Sequence, residues 1–278
     1  MKRWSSVWLA LCIMLSSLSG CAGSGGTTAS GNETTTLVVF AAASMTETLT
    51  QLGEQYMAEH SDVKLLFTFD SSGTLKTQIQ EGAECDIFIS AGQKQMDQLD
   101  ITADPSINTE KLDYILKDSR FDILENKVAL AVPDGNPANI QTYDDLAAAL
   151  KSGEILMAMG NADVPVGQYT QKILTYYGLS EEELAASGMI TYGSNVKEVT
   201  TQISEAVVDC GIIYQTDAYS AGLTVTDTAS AELCGQVVYS AAILRDSQHP
   251  ETAQAFLDYL TGDTGDRVFS AVGFTPIA

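Results

Sequence analysis

Four short stretches place polar groups in a pattern suited to holding an anion. Ser44-Met45-Thr46-Glu47, Ser71-Ser72-Gly73-Thr74 and Gly193-Ser194-Asn195-Val196-Lys197-Glu198 each follow an extended apolar run and open a segment with helical spacing. Ser44 with Glu47, and Asn195 with Glu198, have capping-box spacing. Gly73 lets another group approach the backbone. Val164-Pro165-Val166-Gly167 sets proline in the first turn of a fourth helix. The first turn of a helix carries N–H groups without intrahelical acceptors, at the positive end of the macrodipole, and so favours negative charge. One serine cap is ordinary helix punctuation. Four such starts in one chain point towards an anion site without specifying the ion.

Other chemistries find less support. A hydrolase would need a base beside Ser44 or Ser72, but the two histidines, His60 and His249, lie in polar helix-boundary sequence. No Gly-x-Ser-x-Gly or His-Glu-x-x-His motif occurs, and the chain reads as a binder, not an enzyme. Two histidines are too few for most zinc or catalytic iron sites. Tyr176-Tyr177 is the kind of adjacent pair that a ferric-iron binder uses, but it ends a helix before Gly178, where packing accounts for it.

The elements that must position these groups alternate. Leu37–Ala41, Val63–Phe69, Asp86–Ser90, Lys127–Val132, Ile155–Met159, Gly211–Tyr214 and Val237–Leu244 read as strands. Helical spacing marks Met45–Tyr56, Leu75–Ile79, Tyr143–Leu150, Val166–Tyr177, the segment opened by Ser180, Val196–Val208, Glu251–Leu260 and Asp266–Phe269. Residues 101–124 fit neither pattern. Strand and helix alternation predicts an α/β protein with mostly parallel sheets, and 278 residues suit two lobes. In such sheets ligands gather at the carboxyl ends of strands, where the four helix starts sit.

Composition narrows the partners. Lys and Arg number 14 against 36 Asp and Glu, a net charge of −22, which argues against nucleic acid. A buried anion site is still possible, because local hydrogen-bond donors govern it. Residues 1–20 begin with Lys2 and Arg3, continue through a short apolar run from Val7 to Leu15, and end Leu18-Ser19-Gly20 before Cys21, which reads as an export signal. Leu18–Cys21 resembles a bacterial lipobox, implying cleavage before Cys21 and its acylation. Residues 21–36 are Gly-, Ser- and Thr-rich and form a flexible tether. The body then stands outside the cell, lipid-anchored to the membrane at the cell surface or in the periplasm. Cys85, Cys210 and Cys234 remain as buried small hydrophobes, with a Cys210–Cys234 disulfide open as an alternative.

Val39–Ser44, Phe69–Leu75, Asp86–Ala91 with Gln93-Lys94 and Met96-Asp97, Val164–Tyr169, Gly211–Tyr214 with Asp217-Ala218, and Gly273–Thr275 resemble, in order, the periplasmic molybdate-binding proteins of ABC transporters. The similarity spans about residues 37–277, except near 101–124. It implies a two-lobed periplasmic-binding-protein fold of type II, with the ligand in the cleft. It further implies a monomer that captures molybdate, and tungstate with it, and delivers it to the permease of an ABC importer, with no cofactor. Carried onto this chain, the site comprises hydroxyl and amide donors at Ser44 and Ser72, backbone donors at Val166 and Val196, and the Tyr214 hydroxyl. Lobe one is expected at 33–125 plus 238–278 and lobe two at 126–237.

Molybdate at neutral pH is a proton-free dianion, so a site of donors alone suits it, and none of the five positions is cationic. Sulfate or phosphate is the alternative ligand. Asp70 departs from the resembled pattern, as does Gly73, and would favour a protonated oxyanion such as phosphate. It is expected to point away from the cleft and cap locally.

Overall fold

The computed structural model describes residues 34–278. The export signal, Cys21 and most of the tether lie outside the described residues. β1 (Thr35–Ala42) runs through a 3-10 turn (Ala43–Met45) into α1 (Thr46–Glu59), followed by β2 (Val63–Asp70), α2 (Ser72–Gln80), β3 (Ile87–Ser90) and α3 (Gln93–Asp97). β4 (Phe121–Asn126) is separated by one residue from β5 (Val128–Val132). Next come α4 (Tyr143–Ser152), β6 (Met157–Gly160), α5 (Pro165–Tyr176), α6 (Glu181–Ala186), β7 (Ile190–Gly193), α7 (Val196–Ser204) and β8 (Cys210–Tyr214). The chain closes with α8 (Gln215–Ala221), β9 (Thr224–Thr228), α9 (Ala231–Cys234), β10 (Val237–Ile243), α10 (Pro250–Leu260), α11 (Asp263–Val272) and β11 (Thr275–Pro276).

Two sheets result, one per lobe of a type II periplasmic-binding-protein fold. The first has the order β11-β4-β10-β3-β1-β2 and the second β7-β6-β8-β5-β9. Both are mixed, which corrects the expectation of mostly parallel sheets. β2, β1 and β3 are parallel, and so are β7, β6 and β8, because helical crossovers return the chain to the same end. β10, β4, β5 and β9 pair antiparallel with their neighbours. These strands carry the chain between the sheets. β4 passes almost directly into β5, and β10 returns from the second sheet without a parallel crossover.

Burial follows position in the sheet. β3 is buried throughout and reads as an unbroken apolar run, as a covered strand should. At the start of edge strand β2, Val63 and Leu65 are buried while Lys64 and Leu66 are exposed. α1 buries Leu49, Leu52 and Tyr56 along one stripe. A second cluster, including Phe40, Leu75, Phe88 and Met96, covers the other face of the first sheet.

The stretch 101–120, which showed no periodicity, is irregular and held by polar staples. Asn108 donates to the carbonyls of Asp100 and Leu112 and accepts from the Leu112 N–H. Arg120 bridges Asp97 at 2.6 Å and Asp100 at 3.1 Å. The strand that follows, β4, escapes sequence reading because Asp122 and Glu125 interrupt its apolar residues. α7 stops at Ser204, four residues short of the expected end, because Ala206 takes φ +52° and turns the chain towards β8. Cys85, Cys210 and Cys234 are all free thiols, so the alternative Cys210–Cys234 disulfide is not formed.

Candidate functional site

The carboxyl ends of β1, β2 and β8 and the starts of α2, α5 and α7 converge on one small, tightly lined pocket. Ser44, Ser72, Val196 and Tyr214 line it, together with Asp70, Ser71, Val164 and Pro165. Val166 does not line it. This residue is fully buried one position into α5, and Val164 and Pro165 form the wall there.

Each helix start is built differently. Ser71 is the N-cap of α2 and accepts from the Thr74 N–H at 3.1 Å, which leaves Ser72 in the first turn. The Ser72 Oγ accepts from the Ala91 N–H at 3.0 Å. Asn195 caps α7 by accepting from the Glu198 N–H at 3.1 Å, while Glu198 accepts from the Ser194 N–H at 2.7 Å. Val196 is then the first residue of α7, and its N–H belongs to the turn without intrahelical acceptors.

Ser44 is not a cap. The chain enters a 3-10 turn at Ala43, and the N-cap of α1 is Met45, with no side-chain bond. The anticipated Ser44–Glu47 capping box is therefore absent. A hydroxyl on a cap would be occupied by a helix amide; here it meets the Tyr239 hydroxyl at 2.8 Å instead. Asn126 donates to the same Tyr239 oxygen at 3.2 Å and to the Thr216 hydroxyl at 2.9 Å.

Tyr214, the last residue of β8, is 1% exposed, and among the described residues no group pairs with its hydroxyl. Burial, then the neighbouring Tyr239, Tyr169 and Asp217, hold its ionisation well above the ordinary tyrosine value. It stays a neutral donor at any ordinary pH.

The two lobes also touch beside the pocket. Asp70 does not turn away as expected. It lines the pocket, and its Oδ1 accepts from the Ser71 N–H at 2.7 Å and from the Asn195 amide of the other lobe at 3.3 Å. A Cβ on Gly73 would collide with the Asp163 carbonyl, so glycine there lets α2 approach the segment before α5. Lys197 reaches from α7 to Glu47 on α1 at 2.7 Å and to the buried Asp217 at 3.2 Å. Burial pushes the Asp217 carboxyl up to about 6, with Lys197 opposing. For Lys197, burial works downwards, but Asp217 and Glu47 outweigh it and leave its value raised. This ammonium is committed to carboxylates.

Sequence reasoning missed Asn126, Tyr239, and the pairings of Asp70 and Lys197. No periodicity or spacing marks them, because Asn126 meets Thr216 and Tyr239, Asp70 meets Asn195, and Lys197 meets Glu47 across 90 or more residues of chain. Tyr176 and Tyr177 stay outside the pocket, with Tyr177 donating to Asp144 at 2.8 Å and Tyr176 58% exposed. His60 stacks on Tyr56 at 4.2 Å, away from the site. Among the described residues no group of three or more His, Cys, Asp or Glu is placed to hold a metal ion.

The family model for bacterial extracellular solute-binding proteins matches residues 37–275. A putative ABC transporter substrate-binding lipoprotein of Bacillus subtilis is 29% identical over 97% of each chain. A molybdate-binding protein of Haemophilus influenzae is 30% identical, covering 86% of this chain and 89% of that one. The solved periplasmic molybdate-binding protein of Azotobacter vinelandii superposes with a TM-score of 0.73 at 23% identity, covering 87% of this chain and all of the other.

Proposed function

The chain belongs to the family of bacterial extracellular solute-binding proteins, and we propose that its solute is molybdate, with tungstate accepted by the same pocket. It is a binding protein rather than an enzyme, and it hands the oxyanion to the membrane permease of an ABC importer. Ser44 and Ser72 donate hydroxyl protons from lobe one. The Tyr214 hydroxyl and the amides of Val196 and Val166 donate from lobe two, with Val166 set behind the wall that Val164 and Pro165 form. Lobe one is residues 33–125 with 238–278, and lobe two is 126–237. The body acts as a monomer on a lipid anchor at Cys21.

One observation carries this reading: among the described residues the buried hydroxyls of Tyr143, Tyr214 and Tyr259 lack a partner, and of these Tyr214 stands at the pocket wall. A buried polar group is normally paired, so an orphan of this kind asks for an acceptor from outside the protein. An ionised oxyanion provides one, and bonds to an ionised group are the strong kind.

Phosphate is the second reading, favoured by Asp70 on the pocket wall. A phosphate proton would need an acceptor there; Asp70 Oδ1 already holds the Ser71 and Asn195 donors, which leaves Oδ2 as the oxygen that could take it. Calorimetric competition of molybdate, tungstate, sulfate and phosphate tests both readings. Molybdate and tungstate should bind far more tightly than sulfate, whose shorter bonds to oxygen leave donors on two lobes out of reach. Phosphate binding at least as tight as molybdate, abolished by Asp70→Ala, would replace molybdate with phosphate. For the anchor, Cys21→Ala should release the protein from the membrane fraction, and continued sedimentation with membranes counts against acylation.

A further inference from the structure

We propose that Asn126 and Tyr239 are positioning residues that fix Ser44 as a hydrogen-bond donor, so that the pocket's preference for a proton-free oxyanion is set partly from behind its wall. This inference rests on the reading of the pocket as an oxyanion site.

The Ser44–Tyr239 contact at 2.8 Å joins two hydroxyls, and either could donate. Their neighbours decide. The Lys127 N–H donates to Asn126 Oδ1 at 2.8 Å, which identifies the other end of that amide as the NH₂ group. The NH₂ donates to Tyr239 Oη at 3.2 Å and to Thr216 Oγ1 at 2.9 Å. Tyr239 is fully buried, and the polar groups bonded to its hydroxyl are Asn126 and Ser44. Asn126 can only donate to it, so the tyrosine proton goes to Ser44 Oγ. Ser44 then accepts on that side, and its own proton is directed to the pocket it lines. Reversing the bond would give Tyr239 two incoming donors and strand its proton in the core, at the cost of a buried unsatisfied group. It would also turn a serine lone pair towards an anion.

The chain of donors starts at the backbone of the first crossing between lobes. Asn126 closes β4, Lys127 is the linking residue, and Thr216 stands on α8 of the second lobe. Ser72 is treated alike by simpler means, since the Ala91 N–H fills its oxygen and frees its proton. A hydroxyl left free to rotate can meet a protonated oxyanion as acceptor. A hydroxyl whose oxygen already receives a proton serves best as donor. The relay thus favours a fully deprotonated anion, molybdate or sulfate, over one that carries a proton, such as hydrogen phosphate.

The test is titration calorimetry of wild type, Tyr239→Phe, Ser44→Ala and the double variant with molybdate, sulfate and phosphate. Tyr239→Phe keeps the ring and removes the proton that orients Ser44. It should weaken molybdate binding by about tenfold, the scale of one hydrogen bond to a charged group, and narrow the molybdate-to-phosphate ratio. In the Ser44→Ala background the same change should have little further effect. Asn126→Asp, which replaces the donating NH₂ with an acceptor, should reproduce the narrowed ratio and keeps the test open if Tyr239→Phe does not fold. Unchanged molybdate affinity and unchanged ratio in Tyr239→Phe overturn the relay while leaving the oxyanion site intact. A loss fully additive with Ser44→Ala, or an equal loss for all three anions, also overturns it. Wild type that fails to bind molybdate overturns the relay together with the reading on which it rests.

Discussion

The two walls of the pocket are made by different means. On the first lobe, Ser44 and Ser72 are side chains whose oxygens already receive protons from Tyr239 and the Ala91 amide. On the second lobe stand the first-turn amide of Val196 and the Tyr214 hydroxyl, whose proton meets no acceptor among the described residues. One wall is oriented before any ligand arrives, and the other is completed by it. An unpaired buried group costs about 1–3 kcal/mol, so the closed form without its ion is disfavoured by the second wall alone. On the proposed reading, the ion supplies the missing acceptor without any Lys or Arg among the residues that line the pocket. Lys197, which follows Val196 in α7, is held by Glu47 and Asp217.

If the second wall awaits an anion, the ion must stabilise the closed fold. Saturating molybdate at a thousandfold excess over Kd should add about 4 kcal/mol. A thermal melt should show a higher Tm with molybdate and with tungstate. A Tm unmoved by either would remove the contrast, because neither wall would then be completed by ligand.

Substitutions on the two walls should differ in kind. Tyr214→Phe removes a donor that no protein group uses. Affinity should fall by about 1.5–3 kcal/mol, roughly tenfold to over a hundredfold, with unliganded stability unchanged or slightly higher. Ser72→Ala also weakens binding, but it strands the Ala91 N–H in the core and should lower unliganded stability by about 1–3 kcal/mol. Calorimetry paired with denaturant melts separates the two. Equal stability losses in both variants would erase the distinction between an oriented wall and a waiting one.

The smallest effect is expected from the bridge between the lobes. Glu47 is half exposed, and the Lys197–Glu47 pair is worth under about 1 kcal/mol. Glu47→Gln should therefore weaken molybdate binding by less than about fivefold, and added salt should shrink the difference. A larger, salt-insensitive loss would move part of the closing energy from the pocket walls to this bridge.

Much of the frame was legible in the residues. Short apolar runs gave β1, β3, β5 and β8, and three-and-four spacing gave α1, α4 and α10 with ends close to those observed. These signals are local. A covered strand must be apolar along its length and an amphipathic helix must repeat, whatever the rest of the chain does. β4 and β9 were missed because they carry polar residues, and their place depends on pairing with β10, β11 and β5.

What the sequence determined by itself was the alternating architecture, the serine- and asparagine-bearing turns after strands, and an ordered set of motifs spanning the body. The use of those turns came from the fold. Ser44 looked like a helix cap and is instead one end of a relay through Tyr239, 195 residues away. Asp70 looked like a local cap turned away from the cleft; it does accept from the Ser71 N–H, but it lines the pocket and also accepts from Asn195 of the other lobe. Tyr214 ended a strand, and only the folded core shows that its hydroxyl is enclosed without a partner. Helix and strand formation are governed by neighbours a few residues away, which the sequence records. The direction of a hydroxyl proton is governed by whichever groups the fold brings within about 3 Å, and those come from distant parts of the chain.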